Sequence, residues 1–423
     1  MILSQQKNNK LHKIFEYFII FIPLLLISGP LLSDLAVTSV AIYFVFIFKK
    51  NYKNEKIIYY LSIYFLIFYL LILISSLLAE DKYLSLKNTI FYIRFIFFSI
   101  CFYYLLKINN KILIQLFYVL FFCFLILIFD GLFQGYFKIN IFGLQINDEY
   151  LGRRVSSFFG DELILGSYLT RMSPLLIGLS LLYFNKVKYF KYYIILLICL
   201  MEIVIFLSGE RTAFVLFNLT IILLTIFLND TKKISIFIFL IIPIAITTLI
   251  LIDGPSKKRI IDQTIKDLKP KNYDSKFVII NKQYHEHYIS SYKIFKDNIF
   301  FGVGPKNFRV VCKYKNYNLS ENTCSTHSHN TYLQLLSETG LFGFLLVFNL
   351  FLFISFLLLK QFYYKLFKKT YFLNNLQVCI VVHFFVCLFP LTPSGSFFNN
   401  WTSIMYYFPL GILLWSFKNK KIN

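Results

Sequence analysis

Apolar residues run in long blocks through most of this chain, separated by short polar stretches rich in lysine. Blocks of about 18 residues or more fit α-helices crossing a hydrocarbon layer roughly 30 Å thick. The pattern predicts spans at 14–32, 34–48, 57–78, 89–106, 112–133, 162–184, 190–207, 211–228, 234–252, 331–359, 371–390 and 400–417. The expected fold is therefore an all-α polytopic membrane protein of about twelve transmembrane helices. One long polar stretch interrupts it between helices 9 and 10. This divides the chain into 1–252 (helices 1–9), a loop at 253–330, and 331–423 (helices 10–12). The first span is too long, and too poorly flanked by small residues, for a cleaved signal peptide, and it reads as a retained anchor.

Composition agrees with this class: 58% of residues are hydrophobic, and the mean hydropathy is +0.65. The net charge of +22 needs a separate reason. With the N-terminus in the cytoplasm, Lys7, Lys10, Lys13, the Lys49–Lys56 cluster, Lys107, Lys111 and Lys186–Lys191 fall on one side. Lys232, Lys233, Lys360–Lys369 and Lys418–Lys421 join them, as the positive-inside rule requires. Both termini are then cytoplasmic, and the loop 253–330, too long for the rule to govern, lies outside. The charge is topogenic, so nucleic acid is not an expected partner.

Lysine outnumbers arginine 36 to 7. Arg94, Arg153, Arg154, Arg171, Arg211, Arg259 and Arg309 all fall outside, at the outer boundary, or within the membrane. A guanidinium stays charged and grips phosphate with a rigid fork, so this set points to a phosphate or diphosphate site on that side. Arg259, beside Lys257 and Lys258, is expected instead to pair with a local carboxylate. Arg94 and Arg171 lie inside spans, where an ionisable group marks either a site or a structural ion pair. For Arg171 the partner would be Glu202. Ser208-Gly-Glu-Arg211 reads as a tight outer turn.

Within the loop, Tyr288, Tyr292, Phe295 and Ile299 recur at helical spacing, predicting an amphipathic helix over 282–298 on the membrane or the bundle. Gly302-Val-Gly304-Pro305 ends it, either as an ordinary turn or as a nest of N–H groups for phosphate. Thr331 and Gln334 have capping-box spacing, so the tenth span starts at 329–331. His329 then stands at a helix N-terminus, which disfavours imidazolium and suits a general base; the alternative is a surface histidine. Cys312 and Cys324 lie in the outer loop, where a disulfide would restrain the His327–His329 segment. His285, His287, His327 and His329 form two His-x-His pairs, but their spacing matches no zinc pattern, and no metal is expected.

Gly302-Val-Gly304-Pro-Lys-Asn-Phe308, then His329-Asn330 followed by Gly340 and Gly343, resembles the O-antigen ligase and polymerase superfamily. Arg154-Val-Ser-Ser-Phe-Phe-Gly160 and Ser208-Gly-Glu-Arg211 resemble two further blocks of that family. The resemblance implies a multi-pass glycosyltransferase of the bacterial inner membrane, its active site facing the periplasm. Its donor would be an undecaprenyl-diphosphate-linked glycan, and it would use no metal or cofactor. A ligase passes the glycan to lipid A–core, whereas a polymerase passes it to another lipid-linked glycan. By resemblance His329 is the base for the acceptor hydroxyl, and Arg211, with Arg154 or Arg309, holds the diphosphate. Arg153, Arg171, His327 and Asn330 complete the candidate substrate-binding set; contact by Arg94, Glu162 and Glu202 is left open. The Arg-x10-Gly pattern of polymerases is absent, which favours the ligase. A lipid-oligosaccharide transporter would show internal repeats, and none is visible.

Overall fold

The computed structural model describes residues 10–47, 55–146, 154–229, 254–269, 271–273, 276–278 and 281–418. The expected span at 234–252 and Arg153 lie outside the described residues. Helices α1 (Lys10–Ile27), α2 (Pro30–Ile47), α3 (Lys56–Leu77), α4 (Lys82–Tyr92), α5 (Arg94–Ile108) and α6 (Ile112–Phe137) come first. They are followed by α7 (Leu165–Phe184), α8 (Phe190–Leu207) and α9 (Arg211–Phe227). A short α10 (Gln263–Leu268) and a two-stranded antiparallel hairpin, β1 (Lys271–Tyr273) and β2 (Lys276–Val278), open the polar loop. Then come α11 (Lys282–Asp297), α12 (Phe308–Val311), α13 (Thr331–Tyr363), α14 (Asn375–Cys387) and α15 (Asn400–Lys418).

The chain is thus a helical membrane protein. Among the described residues, five helices are long and apolar enough to cross a membrane, α4 and α5 counting as one bent helix; α2, α8, α9 and α14 are apolar but shorter. Local chemistry moves several expected boundaries. The Asp81 side chain accepts from Leu84 N at 2.9 Å and starts α4 seven residues before the expected span at 89. Ser28-Gly29-Pro30 stops α1 at Ile27. A capping box between Asn374 and Gln377 starts α14, which ends at Cys387 before Pro390.

Helices α5 and α7 are buried on nearly every face, α5 against α2 and α15, α7 against α14. Small residues allow these close crossings: a Cβ on Gly411 would come within 2.8 Å of the Phe102 ring, and one on Gly178 within 2.9 Å of Cys379 Cβ. Helix α3 instead exposes Tyr60, Leu66 and Leu70, as a lipid-facing helix does.

The bundle has two chemically distinct ends. At one, Glu55 is held by Lys107 at 2.6 Å, by Lys418 and by the Tyr103 hydroxyl, while Lys365 Nζ donates to Ile226 O and Leu228 O at 2.7 Å. At the other, the ends of α3, α6, α8 and α14 meet the starts of α7, α9, α13 and α15.

At that second end α13 is broken. Gly340 adopts φ 68°, ψ −168°, which interrupts the helix after Thr339. Chain 299–304 takes up the freed groups: Val303 N donates to Ser337 O (3.0 Å), Gly304 N to Glu338 O (2.8 Å), and Leu341 N to Ile299 O (2.7 Å). Backbone freed at membrane depth must find such partners. The contact leaves no room for side chains. A Cβ on Gly340 would overlap Phe300 C and O, and one on Gly302 (φ 64°) would lie 2.5 Å from Glu338 C.

Gly340→Ala is therefore expected to destabilise the protein by roughly 3 kcal/mol, from left-handed strain and overpacking together. A thermal melt in detergent, with Gly254→Ala in open extended backbone as control, reads this. Equal melting temperatures for the two variants would contradict it.

Candidate functional site

The site is built on the start of α13. Asn330 is its N-cap: Oδ1 accepts from Tyr332 N (3.0 Å) and Leu333 N (3.1 Å), and Nδ2 donates to Pro390 O (2.9 Å). The cap is thus Asn330 rather than a Thr331–Gln334 box, and the polar atoms of Asn330 are engaged structurally. Thr331 Oγ1 meets Ser394 Oγ at 2.9 Å, and Gln334 Nε2 donates to Ser396 Oγ at 3.0 Å. Ser394 N donates to His329 O (2.9 Å), so the segment after α14 is stitched along residues 327–334. His329 itself has φ 55°, a left-handed value uncommon for a side chain of its size.

Three imidazoles gather here. The His327 and His329 ring centroids are 4.1 Å apart, and His287 on α11 lies 5.2 Å from His329. Carbonyl oxygens only accept, which fixes two tautomers. His327 Nε2 donates to Ser394 O (3.1 Å), leaving Nδ1 to accept from the Thr326 hydroxyl at 2.9 Å. His287 Nδ1 donates to Thr323 O (2.7 Å), leaving a bare, buried Nε2. Neither nitrogen of His329 has a hydrogen bond among the described residues. Burial pushes the His329 imidazole down to about 3, with His327 and His287 adding repulsion against its charged form. His327 is pushed down to about 4, again mainly by burial. Among the described residues, no group of three or more His, Cys, Asp or Glu is arranged to hold a metal ion.

Helix α11 forms where expected, but a different face is packed. Glu286, His287, Ser290, Ser291 and Ile294 are buried, whereas Tyr292 of the aromatic stripe is 48% exposed. The polar face is covered by residues 319–324: Ser320 Oγ donates to Glu286 Oε2 at 2.5 Å, and Thr323 supplies the carbonyl for His287. A disulfide joins Cys312 to Cys324, with Cα atoms 5.5 Å apart, and ties this cover to α12. The Gly302–Gly304 amides are all bonded to carbonyls, so this segment is a turn and not a phosphate nest.

The arginines divide. Arg154 Nε donates to Ser208 O and Arg259 Nε to Gly209 O, each at 3.0 Å, so both wrap the turn between α8 and α9. Arg211, at the same turn, pairs with Asp267 at 2.6 Å. Among the described residues, Arg259 is therefore not paired with a carboxylate, contrary to expectation; Arg211 is. The sequence sets the turn up directly. Gly209 has φ 64°, and Glu210 is spent on the start of α7, accepting from Gly166 N (2.6 Å), Ser167 N (3.1 Å) and Ser167 Oγ (2.6 Å). Burial pushes the Glu210 carboxyl up, opposed by these bonds and by Arg154. Arg154 is delivered by its block: Gln134 accepts from Ser156 N and Ser157 N, Asp130 accepts from Ser157 Oγ, and Val155 N reaches Leu207 O. Tyr284 of α11 bridges the groups, within electrostatic reach of Arg154 and Arg259 and 5.6 Å from the His329 ring.

The other candidates lie apart from this turn. Arg309 Nη2 donates to Thr326 O at 3.2 Å beside His327, and its buried Nε has no hydrogen-bond partner among the described residues. Arg171 reaches the Cys387 thiol, not Glu202, which accepts from Asn218 Nδ2 at 2.9 Å. Arg94 pairs with Asp34 at 2.5 Å, and Glu162 is exposed. The sequence reading missed Tyr284 and Glu210 altogether and set Arg259 aside. Tyr284 and His287 stand three apart on one helical face, a spacing that marks them as neighbours.

Residues 194–348 match the family model described as O-antigen ligase (Wzy_C). The match takes in the α8–α9 turn, α11, the Gly-x-Gly turn and the His329–Gly343 block, and it supports the resemblance to the O-antigen ligase superfamily. No curated protein matches the chain.

Opening the 12-residue Cys312–Cys324 separation frees the cover over α11. In the chain-entropy account this costs about 3 kcal/mol. Reducing agent should lower the melting temperature of the wild type and leave a Cys312→Ser/Cys324→Ser protein unchanged; equal responses would count against the bridge.

Proposed function

We propose that this chain, with its O-antigen ligase-type domain at residues 194–348, is a glycosyltransferase of the bacterial inner membrane. It takes a glycan from undecaprenyl diphosphate and passes it to lipid A–core at the periplasmic face. The observation that carries the reading is the pairing of a neutral, unbonded His329 with guanidinium groups anchored through Nε to backbone carbonyls. Such groups stand fixed before any substrate arrives.

In this reading His329 takes the proton from an acceptor hydroxyl as that oxygen attacks the anomeric carbon. The bond from that carbon to the diphosphate oxygen breaks, and its electron pair leaves with the diphosphate. Attack comes from the face opposite the leaving group, so the anomeric centre inverts. Arg154, Arg211 and Arg259 stabilise the charge that grows on the diphosphate, which preorganised donors do most effectively in a water-poor site. Tyr284 keeps the base and the cations in one frame.

His329→Ala is expected to slow transfer from a synthetic lipid-diphosphate glycan by about 10²–10⁴-fold, the usual worth of a positioned base. Arg211→Ala should cost about 10²-fold, with Arg211→Lys recovering part of it. A purified His329→Ala protein that transfers at the wild-type rate would end the base assignment.

The pH profile offers an independent check. A base with its pKa lowered from 6.5 to about 3 stays neutral as pH falls and protonates only near that lower value. kcat/KM should therefore stay level on its acid side from pH 8 down to 5. An acid limb centred near 6.5 would show that His329 titrates as an exposed imidazole.

A further inference from the structure

The region between α3 and α13 carries features that the mechanism above does not use. A cleft of about 450 Å³ runs down this seam and on between α14 and α15. Its lining is apolar side chains and three tyrosines, with Phe65, Phe68, Leu346, Leu350, Val381 and Leu414 among them. Leu350 and Phe353 on its edge are exposed, so it opens on the lipid-facing side of the bundle. Leu388 and Phe397 bound its other end, and the segment between them carries Ser394, which holds His327.

Above the cleft, in the same seam, sits the turn Gly304–Asn307. Ser75 Oγ donates to Glu338 O at 2.7 Å, closing α3 on α13 one step below the turn. Ser75 is seven residues, or about 10 Å, along α3 from Phe68. Gly304 is lodged on Ala79 and Ser85, and Asn307 clamps Asp81 in both directions, at 2.8 and 3.2 Å. This clamp holds Lys306 at φ 63°.

Lys306 Nζ has no hydrogen bond or ion pair among the described residues. The carboxylates near it are engaged elsewhere. Asp34 holds Arg94 at 2.5 Å, and Glu338 accepts from Gln334 Nε2 (2.9 Å) and Phe308 N (3.3 Å). Arg309, within electrostatic reach of Lys306, contributes the buried unpartnered Nε. Among the described residues, Lys306 feels two carboxylates, Glu338 and Asp34, against two further cations, Arg309 and Arg94, and Asp34 is paired with Arg94, so positive charge is left in excess. Two cationic sets thus flank the histidines. One wraps the α8–α9 turn on the Tyr284–His329 side, and the other lies on the His327 side above an apolar cleft.

We infer that the α3–α13 seam is a second lipid site, taking an amphiphile whose phosphate meets Lys306 and Arg309 and whose hydrocarbon lies in the cleft. Its occupant is the acceptor, a lipid-anchored glycan carrying phosphate, separate from the diphosphate donor at the arginine turn. The assignment of acceptor rests on the proposed function; the site itself does not. A free phosphate fits less well, because the cleft below offers only apolar surface and a hydrocarbon chain gains by filling it.

The test titrates farnesyl diphosphate into the detergent-solubilised protein, with inorganic diphosphate as the chain-less control. Lys306→Glu reverses the charge, Leu350→Trp fills the cleft, and Arg211→Ala addresses the other set. The wild type should show two sites for farnesyl diphosphate. Lys306→Glu and Leu350→Trp should each weaken one of them by about tenfold or more, while Lys306→Arg keeps it. Inorganic diphosphate should not respond to Leu350→Trp. Wild-type isotherms for both Lys306→Glu and Leu350→Trp would overturn the inference. A wild-type isotherm for Arg211→Ala would instead count against the donor site and leave the seam site standing.

Discussion

The break in α13 at Gly340 is the constraint on which the functional end depends. A helix interrupted at membrane depth leaves carbonyl and amide groups that water cannot reach, and here residues 299–304 satisfy them strand-fashion. That exchange fixes where α11 ends and where the Lys306–Arg309 turn begins. From there the Cys312–Cys324 bridge and the 319–324 cover set the height of His287. The histidine segment returns to the same helix through the Asn330 cap. Loop and bundle therefore form one structure, joined through two glycines that leave space for backbone alone.

A second regularity concerns charge. Asp34 and Asp267 pair with arginines, but three other carboxylates at this end are spent on amides and hydroxyls: Glu210 on the start of α7, Asp130 on Ser157 and Ile141 N, Glu338 on Phe308 N and Gln334. Arg154 and Arg259 are anchored instead by carbonyls, which fix a guanidinium without cancelling its charge. Positive potential is thus left over where an anionic leaving group would be stabilised. The imidazoles beside it are held neutral by burial, which keeps a base available in a positive field.

Much of this was legible in the sequence. Apolar blocks marked α6, α7, α8, α9, α13 and α15 within a few residues, because span length is set by bilayer thickness and shows as composition. The polar loop, the helix at 282–298 and the His329–Gly343 block were also visible. The packed face of α11 was not. An apolar stripe normally marks the buried side, but here the buried partners are the hydroxyls and carbonyls of the 319–324 cover, so Glu286, His287 and Ser290 turn inward while Tyr292 faces out.

The arginines show the division most clearly. The sequence determined that all seven stand outside the short lysine-rich segments such as Lys49–Lys56 and Lys360–Lys369, a matter of composition along the chain. It also placed glycine at 209, 302 and 340, where the backbone would turn left-handed. Only the tertiary structure decided which arginine pairs with a carboxylate and which with a carbonyl. Arg211 meets a carboxylate and Arg259 a carbonyl because Asp267 and Gly209 come from segments about 50 residues away. It likewise separated Arg309 from the Arg154–Arg259 set. Partner identity depends on which loop closes over which helix, and chain-local pattern carries no record of that.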